Sequence, residues 1–520
     1  MLLAVAVTLF RTFAAEGYLI STGSMAPTLL GYHRRVTCPD CQHLFARGAA
    51  FDRDVQPPGE TALADFDDPG IEQSFSHCPN CGRSQIASWQ VPRNEGDQLL
   101  VHKHAYELRD PRRWEVIVFR NPADPRQAYV KRVAGLPGER FSIEHGEVSA
   151  NGQLCRKPYE VQQAMRILVS DATRLSQEND ADWRPRWTPE ENSNWISSAA
   201  GFTVESSNDG QTHWLNYRHW IRTGGHHETT VPLSAWPDEV EQPNPSFENI
   251  VYAYPTLIGT GVFTDVDRKR WKMRSDDPDY QMALDQLFEQ SHVAPVTDEC
   301  GYNAPTSADG YPVNDFMVSF RLSNVEGEGG LAVHLNGGSH QFLAILDFRE
   351  RKIDLIQDQN PQPVATAPLP EASEDSSWDV DFSCFDSQII LAINGIPVWE
   401  PVLFTRDGAP IPLREPTRLG AVDLSCRIEN LRLYRDVYYT PKPNPGKASF
   451  ELSNDAFFVL GDNSPVSVDS RVWDDPEVPR DALIGKPLVV HLPSKQAQVS
   501  WNGAKRFFRI PDFGRVRFVK

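Results

Sequence analysis

Ser24 sits in a short polar turn, STGSMAPT, directly after an apolar stretch, and Lys131 sits in an apolar run, YVKRVAGLPGE, that ends in a Leu-Pro-Gly turn. A serine and a lysine make a catalytic pair only if the amine is neutral, so that it takes the hydroxyl proton as the oxygen attacks a carbonyl. A free lysine, with a pKa of about 10.4, is protonated at neutral pH. Apolar neighbours such as Tyr129, Val130 and Val133 would disfavour that charge. Neither residue persuades alone, because most turn serines cap helices or bond a loop and a strand lysine ordinarily faces solvent. A third segment, FFVLGDNSPVSVDSRVW, adds a turn and a polar cluster with Asp462, Ser467, Asp469 and Arg471.

A second kind of chemistry is written in the cysteines. Cys38-Pro-Asp-Cys41 and Cys78-Pro-Asn-Cys81-Gly82 form two knuckle-like turns. Each presents two thiolates, and four thiolates make a closed tetrahedral structural zinc site. Disulfides or a redox-active pair are the competing readings. A closed four-thiolate site leaves no open position, so no cofactor for catalysis is expected there. Cys384 and Cys426 lie in strand-like segments and read as buried apolar residues, a disulfide between them being undecided.

Taken in order, GSMAPTL, then GDQLLVHKHAY, RRWEVIVFRNP and YVKRVAGLPGE, then FFVLGDN and SVDSR resemble the motif boxes of type I signal peptidases. The likeness covers about the first 30 residues, 94–159 and 447–495, well under half the chain. It implies Ser24 as nucleophile and Lys131 as general base, with the Ser24 N–H and the Thr22 hydroxyl receiving the oxyanion. It also implies that Ser467 orients the lysine amine, supported by an Asp469–Arg471 ion pair and by Asp462 in the turn. Thr22 stands where the family commonly has serine, Ser21 where it has proline, and Ser464 where it often has arginine.

The elements that must position these residues read as mainly β. The expected fold is a signal-peptidase-like antiparallel β core, split by a four-cysteine, zinc-ribbon-like insert and a β-sandwich insert. The core comprises 21–32, 94–159 and 447–520; the ribbon-like insert is 33–93. A mixed stretch of unknown role spans 160–309, with Trp-rich and helix-like pieces such as THWLNYRHWIR and YQMALDQLFEQS. Many short strands at regular spacing place a concanavalin- or laminin-G-like sandwich at 310–440. Asn151-Gly152 marks a hairpin, and TPKPNPG at 440–446 marks the exit from the insertion. Trp195, Trp214, Trp220 and Trp236 are expected in cores rather than as stacking platforms, and His226-His227-Glu228 as a loop.

Residues 2–10 are apolar before Arg11, about half the length a spanning helix needs. Residues 1–20 are read as a partial membrane anchor or interfacial segment, a signal-like segment being the third reading. The net charge of −19 argues against nucleic acid as a partner, since such binding neutralises phosphates. The resemblance implies cleavage of secretory preproteins after small residues, in an Ala-x-Ala pattern. The enzyme would sit at the cytoplasmic membrane with its catalytic domain on the extracytoplasmic side, meeting lipid. The sandwich would take an envelope or glycan partner. The alternative is a catalytically silent envelope-binding protein that displays the sandwich.

Overall fold

The computed structural model describes residues 15–49, 75–83, 85–122, 124–174, 181–198, 201–222, 229–243, 248–261, 263–303, 310–406, 408–440, 448–501 and 504–519. The chain is mainly β, in antiparallel sheets. The core is assembled from pieces far apart in sequence. Ala15–Leu19 pairs with Gln98–His102 across the cysteine-bearing segment. Ala448–Glu451 pairs with Arg140–Glu144 across the large insertion.

The largest core sheet runs Ala15–Leu19, Gln98–His102, Leu483–Val490, Val116–Arg120, Ala128–Gly135, Ala456–Leu460 and Val478–Pro479, with Arg517–Phe518 paired to Leu483–Val490. Two of its strands are buried on both faces: Val116–Phe119 and Ala456–Leu460 are buried throughout. Such strands read as continuous apolar runs rather than as alternation. The Glu147–Ala150 and Gln153–Leu154 hairpin turns at Asn151 and Gly152, with φ of +53° and +79°. Both central residues of a type I′ turn need positive φ, which Asn and Gly tolerate.

The sandwich begins much earlier than residue 310. One sheet combines Ile167–Asp171, Trp195–Ser198 and Gly201–Val204 with Phe316–Glu326, Trp378–Phe385 and Ser425–Arg435. The facing sheet takes in Trp187–Pro189 and His213–Tyr217 beside Thr417–Val422 and Gly330–Asn336. The stretch 160–309 is therefore not one unit. Its first part completes the sandwich. Its later part packs the helices Asp265–Lys272 and Pro278–His292 on a three-stranded sheet around Trp220, Trp271, Tyr280 and Leu287. Asp277 caps the longer helix by accepting from the Tyr280 N–H. Trp195 and Trp220 are buried; Trp214 and Trp236 are half-buried. Cys384 and Cys426 are buried free thiols.

Within the segment 1–20, residues 15–19 form a sheet strand and Ile20 is buried in the core. Residues 1–14 and the His226-His227-Glu228 cluster lie outside the described residues. Among the described residues, no helix is long and apolar enough to cross a membrane.

Candidate active site

Ser24 stands in the turn after the first strand, held there by backbone bonds. Ala26 N–H donates to the Gly23 carbonyl at 3.0 Å, and Leu29 N–H to the Met25 carbonyl at 2.8 Å. The buried side chains of Met25 and Leu29 peg the turn into the core. Ser24 itself is half-exposed, as a group that must meet a peptide requires.

Lys131 is in the middle of Ala128–Gly135 and reaches the turn. Its Nζ lies 2.6 Å from Ser24 Oγ, and the residue is 4% exposed. The amine and hydroxyl are thus in hydrogen-bond contact in a site that largely excludes water. Thr22 Oγ1 lies 3.5 Å from Ser24 Oγ, beside the place where an oxyanion would form.

The GDN turn locks onto both. Asn463 N–H donates to the Ser24 carbonyl at 3.0 Å, and Asn463 Nδ2 to the Gly23 carbonyl at 3.0 Å. Side-chain atoms on Gly461 have no room, because a Cβ there would overlap Ser467 Oγ and the Ser24 carbonyl. Asp462 accepts from Arg132 Nε and Nη2 at 2.8 and 2.7 Å, with both side chains inaccessible. Burial works against the Arg132 charge, but Asp462 overrides it and holds the guanidinium above its ordinary pKa.

Asp469 and Arg471 do meet, at 2.7 and 2.8 Å. They do so in a turn, and both side chains are fully buried. Burial alone would raise the Asp469 pKa. Arg471, with the Gly461 N–H, instead holds it below its ordinary value. Ser464 occupies the place of the expected arginine usefully, since its hydroxyl accepts from Arg471 Nη1 at 2.8 Å and from Thr440 N–H at 2.9 Å. Ser467 is different. Its hydroxyl is buried but has no hydrogen-bond partner among the described residues, so no bond to the Lys131 amine is formed.

Arg132 and Asn463 are the positioning residues that motif reading passes over. The signal for Arg132 was available: an arginine inside an apolar strand must find an acidic partner.

The four knuckle cysteines converge as their spacing suggests. Cys38 and Cys81 sulfurs are 3.6 Å apart, as are those of Cys41 and Cys78, and all four Sγ lie within 4.8 Å of one another. A tetrahedral ion with sulfur at about 2.3 Å requires S···S of about 3.8 Å, close to the two 3.6 Å pairs. All four are buried free thiols rather than disulfides. Asn80 Nδ2, 3.7 Å from Cys41 Sγ, and its Oδ1, accepting from Asp171 N–H at 2.6 Å, tie the second knuckle to the sandwich.

The family model for signal peptidase, peptidase S26, matches residues 83–210 and 386–492. That range includes Lys131, Ser467, Asp469 and Arg471, while Ser24 precedes it. A probable signal peptidase I-2 of Synechocystis is 39% identical over 69 residues, 12% of this chain and 31% of that protein. Signal peptidase I of Bacillus caldolyticus is 39% identical over 64 residues, 12% and 34% of the two chains. For signal peptidase I of Pseudomonas aeruginosa the values are 41% over 73 residues, 11% and 25%. The chain therefore spans about a third or less of these relatives' length. A carbohydrate binding module of Bacillus subtilis overlays 48% of this chain and 94% of its own at 8% identity, with a TM-score of 0.23.

Proposed function

We propose that this chain, which belongs to the signal peptidase family S26, is a Ser–Lys serine endopeptidase that removes signal peptides from exported preproteins after small residues. The observation that carries the reading is the 2.6 Å contact between Lys131 Nζ and Ser24 Oγ in a site where the lysine is almost inaccessible. In its neutral form the amine accepts the Ser24 proton as Oγ attacks the scissile carbonyl. The oxyanion is received by the Ser24 N–H and the Thr22 hydroxyl. Lys131 then returns the proton to the leaving amine, giving an acyl-enzyme. A water, deprotonated by the same amine, releases the new carboxylate and restores Ser24. No cofactor enters these steps. Cys38, Cys41, Cys78 and Cys81 would hold a structural zinc that clamps the two knuckles together.

Exposed Leu19, Leu492, Phe513, Val516 and Phe518 lie on or near the edge that carries the strand Ala15–Leu19 and the chain's final residues. They support contact with lipid at the cytoplasmic membrane, the catalytic side facing outward. The silent-scaffold alternative is disfavoured by the same dyad contact, since a scaffold without activity has no need to keep a buried amine on a hydroxyl. The test is cleavage of an Ala-x-Ala preprotein by wild type, Ser24→Ala and Lys131→Met. Loss in both variants is expected; equal rates in all three would sink the reading.

A further inference from the structure

The large insertion does not stand apart from the active site. After the helices, the chain runs from Asp298 to Asn303 along the back of the nucleophile turn. Tyr302 is 5% exposed and packs with Ala26 and Leu30 of that turn, beside Ala46. A Cβ at Gly23, the residue before the nucleophile, would overlap the Tyr302 ring, and so would one at Gly48. The Tyr302 hydroxyl donates to the Tyr32 carbonyl at 2.9 Å. Its carbonyl accepts from Gly48 N–H at 2.8 Å and Arg47 Nη1 at 2.9 Å.

Asn303 continues the contact. It exchanges two amide hydrogen bonds with Asn463, at 2.8 and 2.7 Å. Asn463 is the residue that holds both the Gly23 and the Ser24 carbonyls. At its other end the segment is fixed to the sandwich, where buried Arg435 donates to the Asp298 and Glu299 carbonyls at 2.7 and 2.9 Å. A continuous path of hydrogen bonds and packing therefore links a sandwich strand to the serine turn.

We propose that Tyr302 and Asn303 are positioning residues for catalysis: the insertion supplies a clamp that sets the nucleophile turn against Lys131. This rests on the Ser24–Lys131 reading. The absence of a Cβ at Gly23 and at Gly48 makes room for the Tyr302 ring, which lies directly against both. Displacing a nucleophile by about 1 Å can cost about 100-fold in rate, so a clamp acting on the carbonyl of Ser24 itself is placed where it matters.

The test uses the full-length chain with Tyr302→Phe, Tyr302→Ala, Asn303→Ala, Asn463→Ala and the Asn303→Ala/Asn463→Ala pair. Cleavage of an Ala-x-Ala peptide reads kcat and KM separately. The expected result is a fall in kcat of about 10- to 100-fold for the alanine variants, with KM within about 2-fold. Tyr302→Phe, which keeps the ring, retains most of the activity, and the two asparagine substitutions are non-additive. Unchanged kcat in the alanine variants, or additive effects of Asn303→Ala and Asn463→Ala, overturns the proposal. Hydrogen exchange of the amides of Ala26 and Leu29 separates this outcome from a failure of the peptidase reading. If wild type cleaves nothing, the peptidase reading falls, while exchange about tenfold or more faster in Asn303→Ala still demonstrates the clamp. Unaltered exchange removes it.

Discussion

Arg132 and Asp462, 330 positions apart, form a two-pronged ion pair with no solvent access to either side chain. Arg132 also donates to the Trp114 carbonyl at 2.6 Å. It follows Lys131 in the strand, so successive side chains point to opposite faces: the lysine goes to the serine, the arginine to the turn that carries Asn463. The strand thereby joins the base and the turn holding the nucleophile in one rigid unit. Removing one partner leaves an uncompensated buried charge. Arg132→Gln or Asp462→Asn is expected to cost about 3–5 kcal/mol, read by denaturant unfolding. Arg132→Met with Asp462→Leu should cost less than either single change. A single variant as stable as wild type would contradict the account.

Ser24, Lys131, Asp469 and Arg471 are legible in the sequence because each lies inside a short motif whose order matters. Their neighbours are not. Asn303 sits in ECGYNAP, which has no local mark of function; its partner is 160 positions away and is brought there by the fold. The sandwich boundary is hidden for a similar reason. THWLNYRHWIR looks Trp-rich and helix-like, yet His213–Tyr217 is a strand with His213, Leu215 and Tyr217 buried and Trp214 and Asn216 less so. Five residues of alternation are too few to read against aromatic bulk. The burial of Asp469 and Arg471 is not legible either, because it depends on Thr440, at the end of the insertion, whose carbonyl accepts from Arg471 Nη1 at 2.8 Å.

The cysteine cluster makes a prediction independent of activity. Protein purified without chelator should carry about one zinc per chain, measured by elemental analysis. Chelation should speed proteolysis within 33–49 and 75–94, since the apolar cluster around the four sulfurs is small, adding only Val36, Phe45, Ile86 and Trp183. Cys78→Ser should lose the metal while the sandwich keeps its thermal transition. Metal-free protein with undiminished protease resistance would refute a structural zinc.

The apolar edge predicts lipid binding. Phe513 and Phe518 are 78% and 79% exposed, and Leu492 is 52% exposed. Burying a side chain of this size yields about 1.5–3 kcal/mol. Phe513→Ser with Phe518→Ser should therefore weaken sedimentation with phospholipid vesicles by at least about tenfold. Cleavage of a soluble peptide should stay unchanged. Equal vesicle binding by the double variant would dismiss this edge as the lipid contact.

The joint between core and sandwich is a buried charge network, and it sets a pH dependence. Lys157 bonds Asp386 at 2.6 Å and Asp436 at 2.7 Å, while Arg406 bonds Glu147 at 3.0 Å and Asp315 at 2.6 Å. Four carboxylates thus share two cations. Burial raises the Asp436 pKa to about 7, with Asp386 and Asp315 adding repulsion and Lys157 opposing; burial likewise raises Asp386 and Glu147. A carboxyl whose folded pKa lies above its unfolded value binds more protons when folded, so stability falls as pH rises between the two values. For Asp436 the window runs from about 4 to about 7. Buried histidines such as His33, lowered by burial to about 4, act in the opposite direction. The comparison must therefore be with Asp436→Asn, which keeps those histidines and removes this titration. Relative to that variant, wild type should lose thermal stability steadily from about pH 4 to about pH 7 and no further above it. A pH-independent difference between the two melting temperatures would show that the fold does not raise the Asp436 pKa.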